Sequence, residues 1–197
     1  MAKIIVGNHA TAILRKMKAL ELFPLINLDR DSNIDIDKMH SQHKIASLSE
    51  LRPVSLLSYG FKTTDNFSKL RKAWKMSSDE DYIGQFLIKH RTQTDLKYFQ
   101  DLLVDTPKHC RHKYHMAVTE LSLSRGDEVL CKTLSEWNVP ECPIRGDQVI
   151  KHLGLSKGPL VQKYYTMGKS KWKDNHFTME GGELLEYLLQ EYNRTRK

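Results

Sequence analysis

At 197 residues, with 40% hydrophobic and 28% charged side chains, the chain is long enough to bury an apolar core and ordinary in composition for a globular protein. No run approaches the roughly 20 apolar residues of a membrane span, and Gly7-Asn8-His9 follows Ile4-Ile5-Val6 too soon for a secretory or transit pattern. Thirty-one Lys and Arg against 24 Asp and Glu leave a net +7, which suits a polyanion such as nucleic acid and equally a mildly basic protein with no such partner.

Along the chain the apolar residues recur with helical spacing, and no alternating strand pattern stands out. Ile13, Met17 and Leu20 share a face that reads as core. The segment from Leu28 to Arg52 is polar and reads as a long connection with one short helix. Within it, Asp35-Ile36-Asp37 has the spelling of a metal-holding carboxylate pair, but no glycine turn precedes it, so a metal site is not expected. Lys69, Arg71, Lys72 and Lys75 surround Trp74 and read first as a solvated face, second as a contact to an RNA backbone. Asp79-Glu80-Asp81 reads as the acidic first turn of a helix.

Leu96, Phe99 and Leu103 form the next stripe. His109, His112 and His115 around Cys110 invite a zinc reading, yet residues six apart cannot face one ion from a straight helix, and a basic helix face is expected instead. Tyr114, Ala117, Val118 and Leu121, then Leu130, Thr133, Leu134 and Trp137, give two further core stripes. Cys110, Cys131 and Cys142 lack CxxC spacing and read as reduced thiols of an intracellular protein. Two prolines in Val139-Pro140-Glu141-Cys142-Pro143 mark an extended link. The fold class expected is all-α, with residues 1–139 as one part and residues 140–197 as a second.

From Ile144 onward ten Lys and Arg face six Asp and Glu, so just over a quarter of the chain carries +4 of the +7. Asp147 suits a helix N-cap, and Gly154 suits the left-handed residue that ends a short helix. Ser156-Lys157-Gly158-Pro159 then opens another helix, with proline in its first turn. Backbone amides there, beside Lys157 and a glycine with no side chain, would suit a phosphate oxygen. An ordinary corner between two helices is the plainer alternative. Lys163, Lys169, Lys171 and Lys173, with Tyr164 and Trp172 among them and Arg145 upstream, fit an RNA-facing surface. Trp172 fits a core equally well. The final helix carries Leu184, Leu185, Leu188, Leu189 and Tyr192.

The order Pro143, Gly146-Asp147, Gly154, Gly158-Pro159, Trp172, Phe177-Thr178 and Glu183-Leu184-Leu185 resembles the tail of the class II CCA-adding tRNA nucleotidyltransferases. Ile4 to His9 is similar to the end of the neck in animal, mitochondrial-type members. Leu51 to Leu57, Gly84 to Arg91, Tyr98 to Asp101 and Trp137 to Pro140 are similar to their helical body, in the same order. Departures are Arg145 where the family has serine, Asp147 directly after Gly146, and Gln162 in place of a helix glycine.

The resemblance implies an extended, all-α body and tail of the kind shared with poly(A) polymerase-like carboxy-terminal regions. It implies tRNA as partner, held at its elbow and acceptor stem, with Lys157, Gly158, Lys163, Lys169, Lys171, Lys173 and Arg145 as candidate contacts. The family's carboxylates, its Mg2+ and its CTP and ATP belong to an amino-terminal head that nothing in this sequence resembles, so no catalytic or metal-binding residue and no cofactor are expected in this chain. Glu80-Asp81-Tyr82-Ile83-Gly84 departs from the family's nucleotide-reading Glu-Asp-x-x-Arg, with glycine at the arginine position. A head-and-neck polypeptide is then a second expected partner, the chain being a truncated product or one half of a split enzyme. Ile4, Ile5, Val6 and Leu14 should then form a partly exposed apolar patch that drives self-association. Mitochondrial, cytoplasmic or nuclear residence follows from the resemblance alone. A stand-alone structural RNA-binding protein, of a ribosome or an RNA-processing assembly, is the alternative reading.

Overall fold

The computed structural model describes residues 2–28, 34–45 and 51–195. All regular elements among them are helical, and no strand occurs. The chain divides into two compact units, Met1–Trp137 and Asn138–Lys197. No helix is long and apolar enough to cross a membrane among the described residues.

In the first unit α1 (Ala2–Ile5), α2 (Ala10–Ala19) and α3 (Ile36–Ile45) lead into α4 (Pro53–Tyr59), followed by the short α5 (Thr64–Ser68) and α6 (Leu70–Ala73). Then come α7 (Ser78–His90), α8 (Leu96–Asp105), α9 (Arg111–Arg125) and α10 (Glu128–Glu136). Local chemistry sets these bounds. Pro53 starts α4 at a position where its missing N–H costs nothing. Ser77 and Glu80 cap α7 reciprocally: the Glu80 N–H donates to Ser77 Oγ at 3.2 Å and the Ser77 N–H to Glu80 Oε2 at 2.8 Å. Asp79, Glu80 and Asp81 thus occupy the acidic first turn of α7, as their spacing predicts. Gly126, left-handed at φ 67°, ends α9, and the Asp127 side chain accepts from the Leu130 N–H at 3.1 Å to start α10.

The core is a stack of α4, α7 and α9. Every residue of α4 from Val54 to Tyr59 is buried. Glu120 of α9 is buried beside its start, where it accepts from the Arg52 N–H at 3.1 Å and Ser55 Oγ at 2.5 Å and pairs with Arg52 Nε at 3.2 Å. At the other end of α4, Arg91 donates to the carbonyls of Ser58, Tyr59 and Phe61. Arg125 does the same for α7, reaching the carbonyls of His90 at 2.9 Å and Gln93 at 2.6 Å. A helix end buried without such donors would leave orphan carbonyls. Gly84 lets Phe67 lie directly on α7: a Cβ added at Gly84 would stand 2.1 Å from Phe67 Cζ.

The stripes of α8, α9 and α10 place Phe99, Leu103, Tyr114, Ala117, Val118, Leu121, Leu130 and Leu134 in this core. The α2 stripe faces the other way from expectation. Ile13 and Leu20 are 41% and 60% exposed, while Leu14 is 4% exposed. Leu14 and Ala10 are covered by Ile36, Met39 and Leu56, because α3 packs on that side of α2. The expected apolar patch at the amino-terminal edge is corrected by the same packing. Ile5, only 2% exposed, lies with Leu14, Phe23, Leu28, Met39 and Leu57, and only Ile4 and Val6 remain part-exposed. The described part of the polar connection contributes one helix, α3, whose Ile36 and Met39 join this cluster.

The second unit is a bundle of α11 (Gly146–Leu153), α12 (Pro159–Asp174) and α13 (Gly181–Arg194). Ile144, Val149, Leu153, Tyr164, Trp172, Leu184 and Leu188 fill its centre.

Candidate nucleic-acid interface

Each candidate RNA contact lies on the second unit, and the local fold dictates its position. Arg145 precedes α11; its backbone N–H donates to Gln148 Oε1 at 2.8 Å and its side chain is exposed. Asp147 stands in the first turn of α11 rather than at its cap, which still favours a helix N-terminus. Gly154, left-handed at φ 61°, ends α11 as its place in the sequence predicts. The chain then turns through Lys157 and Gly158, both exposed, into Pro159 at the first position of α12. No side chain caps this helix start.

Gly158 is the informative residue of the corner. Its extended backbone, φ 160° and ψ −172°, is open to any residue, and a Cβ there would meet nothing within 4 Å. Neither backbone strain nor packing inside the unit calls for glycine. Gly168 and Gly181 are the opposite case. A Cβ at Gly168 would stand 2.7 Å from Ile144 Cδ1 and 3.2 Å from Leu188 Cδ1, and one at Gly181 would stand 3.0 Å from the Pro143 carbonyl oxygen. Gly168 sets how closely α12 approaches α13, and Gly181 how closely the start of α13 approaches the link at Pro143.

At about 100° per residue, Lys163, Lys169 and Lys173 share an arc of about 120° on α12. Lys171 leaves the helix about 160° away from Lys169 and Lys173, where its Nζ lies 5.5 Å from the centre of the Tyr187 ring. Lys163 Nζ lies 5.8 Å from the Tyr164 ring. The candidates therefore divide: Lys169 and Lys173 stand on one flank of α12 and Lys171 on the other, with Lys163 between them, about 80° from both Lys171 and Lys173. Trp172 is core, not surface; its ring meets Phe177 edge-on at 5.2 Å, and Tyr164 is buried in the same bundle against Tyr192. His176 and Phe177 are both left-handed, at φ 53° and 63°, a conformation that costs about 1–2 kcal/mol per residue and here turns the Phe177 ring onto Trp172.

Comparison with known proteins decides what this helical scaffold is similar to. No family model matches the chain. Human "CCA tRNA nucleotidyltransferase 1, mitochondrial" is 29% identical over 196 residues, covering 95% of this chain and 44% of that protein. The mouse protein of the same name is 28% identical over the same shares, and the zebrafish protein 26% identical over 96% of this chain and 44% of its own length. The chain resembles CCA tRNA nucleotidyltransferases. The resemblance runs over nearly the whole chain, while the chain spans less than half the length of these curated relatives.

Several residues with the look of chemistry have structural duties. Asp35 Oδ1 accepts from the Lys38 N–H at 2.9 Å as a cap for α3, and Asp37 pairs with Arg15. Asp81 is buried, accepting from Gln85 Nε2 at 3.0 Å and paired with Arg71 at 3.4 Å, which draws that arginine out of the run around Trp74. Trp74 Nε1 donates to the Ile26 carbonyl at 2.7 Å. His109 lies in the 3-10 turn Lys108–Cys110 before α9 and His112 in the first turn of α9, its ring nitrogen 3.1 Å from the His109 carbonyl oxygen, and no group of three or more His, Cys, Asp or Glu placed to hold a metal ion occurs among the described residues. All three cysteines are free thiols, and burial pushes the Cys142 thiol up.

Sequence reasoning passed over one feature of the first unit, a cleft of about 400 Å³ between α7 and the corner joining α8 to α9. Its signal was present as an aromatic series at helical spacing, Tyr82, Phe86 and His90.

Proposed function

We propose that this chain is a tRNA-binding, carboxy-terminal portion of a CCA-adding enzyme, holding folded tRNA so that its 3′ end is presented to a nucleotide-transferring region that these residues do not form. The observation that carries the reading is the similarity to CCA tRNA nucleotidyltransferases over 95% of the chain. On this reading the second unit supplies the grip: the α12 start receives a phosphate, and Lys157, Lys163, Lys169 and Lys173 extend the contact along the helix. Gly158, which the fold does not demand, fits a close approach of RNA backbone to that corner. Such a surface follows shape and phosphate rather than sequence, since the major groove of duplex RNA is too narrow for side chains to read. The chain would work where tRNA ends are completed, mitochondria included, since the relatives are mitochondrial proteins by name.

The test is a salt titration of tRNA affinity with the purified chain. Reversing Lys157, Lys163 and Lys169 to Glu should weaken binding at least about tenfold for all tRNAs alike and flatten the salt dependence. Gly158→Val should weaken binding with no change in thermal stability. Affinity unmoved by these changes would remove the tail from the contact surface. With Mg2+, CTP, ATP and a tRNA ending at its discriminator base, the chain alone should add no nucleotide; incorporation would overturn the assignment of catalysis to other residues.

A further inference from the structure

The cleft in the first unit has the composition of a small ligand site rather than of a packing gap. One wall is a face of α7, where Tyr82 and Phe86 are stacked at 6.1 Å with their planes 27° apart. Phe86 meets Tyr114, buried and lining the same cleft, edge-on at 5.6 Å. His90 continues the wall, its ring 4.5 Å from Phe86 and its Nδ1 2.8 Å from the Tyr98 hydroxyl. Burial holds this imidazole at a pKa of about 4, so it is neutral at physiological pH and adds a flat uncharged ring.

Two cations border the same cleft. Lys89 is exposed on α7, and Lys113 enters from α9, where its Nζ donates to Ser78 Oγ at 2.5 Å and lies 3.0 Å from Asp79. Between rings and cations sits Gln85. Its amide nitrogen is committed to Asp81, itself anchored by Arg71, which leaves Oε1 as the acceptor this side chain offers to the cleft it lines. An aromatic wall, one oriented acceptor and rim cations, in a space of about 400 Å³, match a planar, hydrogen-bonding, anionic ligand.

We propose that this cleft is a nucleotide subsite. The base lies against Tyr82, its phosphate meets Lys89, and Gln85 Oε1 accepts from an exocyclic amine. It therefore takes adenine, cytosine or guanine in preference to uracil, whose ring has carbonyls where the others carry an amino group. The nucleotide is either free in solution or an unstacked residue of a bound RNA. The second source rests on the RNA-binding reading; the first does not.

Saturation-transfer NMR on the full chain separates the cases, with AMP, CMP, GMP, UMP and a single-stranded tetranucleotide as probes. AMP, CMP and GMP should bind saturably and UMP at least about threefold more weakly. Loss of one stacked base is worth about 1–3 kcal/mol, so Tyr82→Ala should weaken binding about tenfold or more. Lys89→Glu, at an exposed position that cannot unfold the chain, should weaken it about as much, while Lys163→Glu should leave it unchanged. A tetranucleotide bound about tenfold more tightly than its monomers assigns the subsite to RNA, and equal affinities assign it to free nucleotides. No saturable binding at about 10 mM of any probe, or binding indifferent to both Tyr82→Ala and Lys89→Glu, overturns the proposal. If tRNA binding is lost with the α12 lysines but untouched by the cleft variants, and no monomer binds, the tail grip stands and the subsite falls. If monomers bind the cleft and tRNA does not bind the chain, the reverse holds.

Discussion

In Met1–Trp137 the arginines Arg52, Arg71, Arg91 and Arg125 are spent on the unit's own carboxylates and helix ends, whereas in Asn138–Lys197 the named cations lie at or near the surface and no carboxylate is buried among the described residues. Both parts are basic by count, but a guanidinium that gathers carbonyls or satisfies a buried Glu120 cannot also neutralise a phosphate without cost. Net charge becomes a guide to nucleic acid only after such structural arginines are set aside.

The comparison also holds for the cores, and substitution can break it. Trp172→Ala should have the largest effect, about 4 kcal/mol, because it empties the centre of a three-helix bundle. Hydrogen-exchange protection should fall across α12 and α13 and persist in α4 and α7; loss in both units would show that the two cores do not stand separately. Gly84→Ala comes next, at about 3 kcal/mol, since wholly buried Phe67 has no space into which to retreat from a new methyl group. Here α7 should lose protection and α12 keep it, and a variant as stable as its parent would refute the close approach of Phe67.

The smallest effect is one of pH. The folded His90 imidazole titrates at about 4, through burial first and Lys89 second, whereas in the unfolded chain its pKa is about 6.5. As pH falls from about 6.5 to about 4 the unfolded state takes up a proton that the native state refuses, so the first unit loses stability through that window. His115, lowered in the same direction by burial, adds to the effect. Urea midpoints at pH 7 and pH 5 should therefore differ, and His90→Gln should shrink the difference. An unchanged difference in that variant would place the proton elsewhere.

Much of the fold was legible because helices announce themselves locally. Tyr114, Ala117, Val118 and Leu121 are buried together, Gly154 ends α11, and Pro159 starts α12, each for reasons that lie within a few residues. What could not be read depends on partners far away in sequence. On α2 the series Ile13, Met17, Leu20 and the series Ala10, Leu14, Met17 have nearly equal claims, and only the packing of α3 chooses between them. The need for glycine at 84 comes from Phe67, and the fate of Arg91 from the end of α4; neither has a local signature. For the candidate interface, the lysines can be named from the sequence, but only helical placement separates Lys171 from Lys169 and Lys173.

Helix α4 has charge fastened to both of its ends, Glu120 with Arg52 at the first turn and Arg91 across the last carbonyls, and it is buried along its length. A helix ordinarily melts by fraying, one terminal turn at a time, through states that cost little. Here the first step from either end would strand a buried carboxylate or a guanidinium, so no inexpensive partly open form exists. The seven residues from Pro53 to Tyr59 should behave as an all-or-none element, closed until the whole unit opens around it.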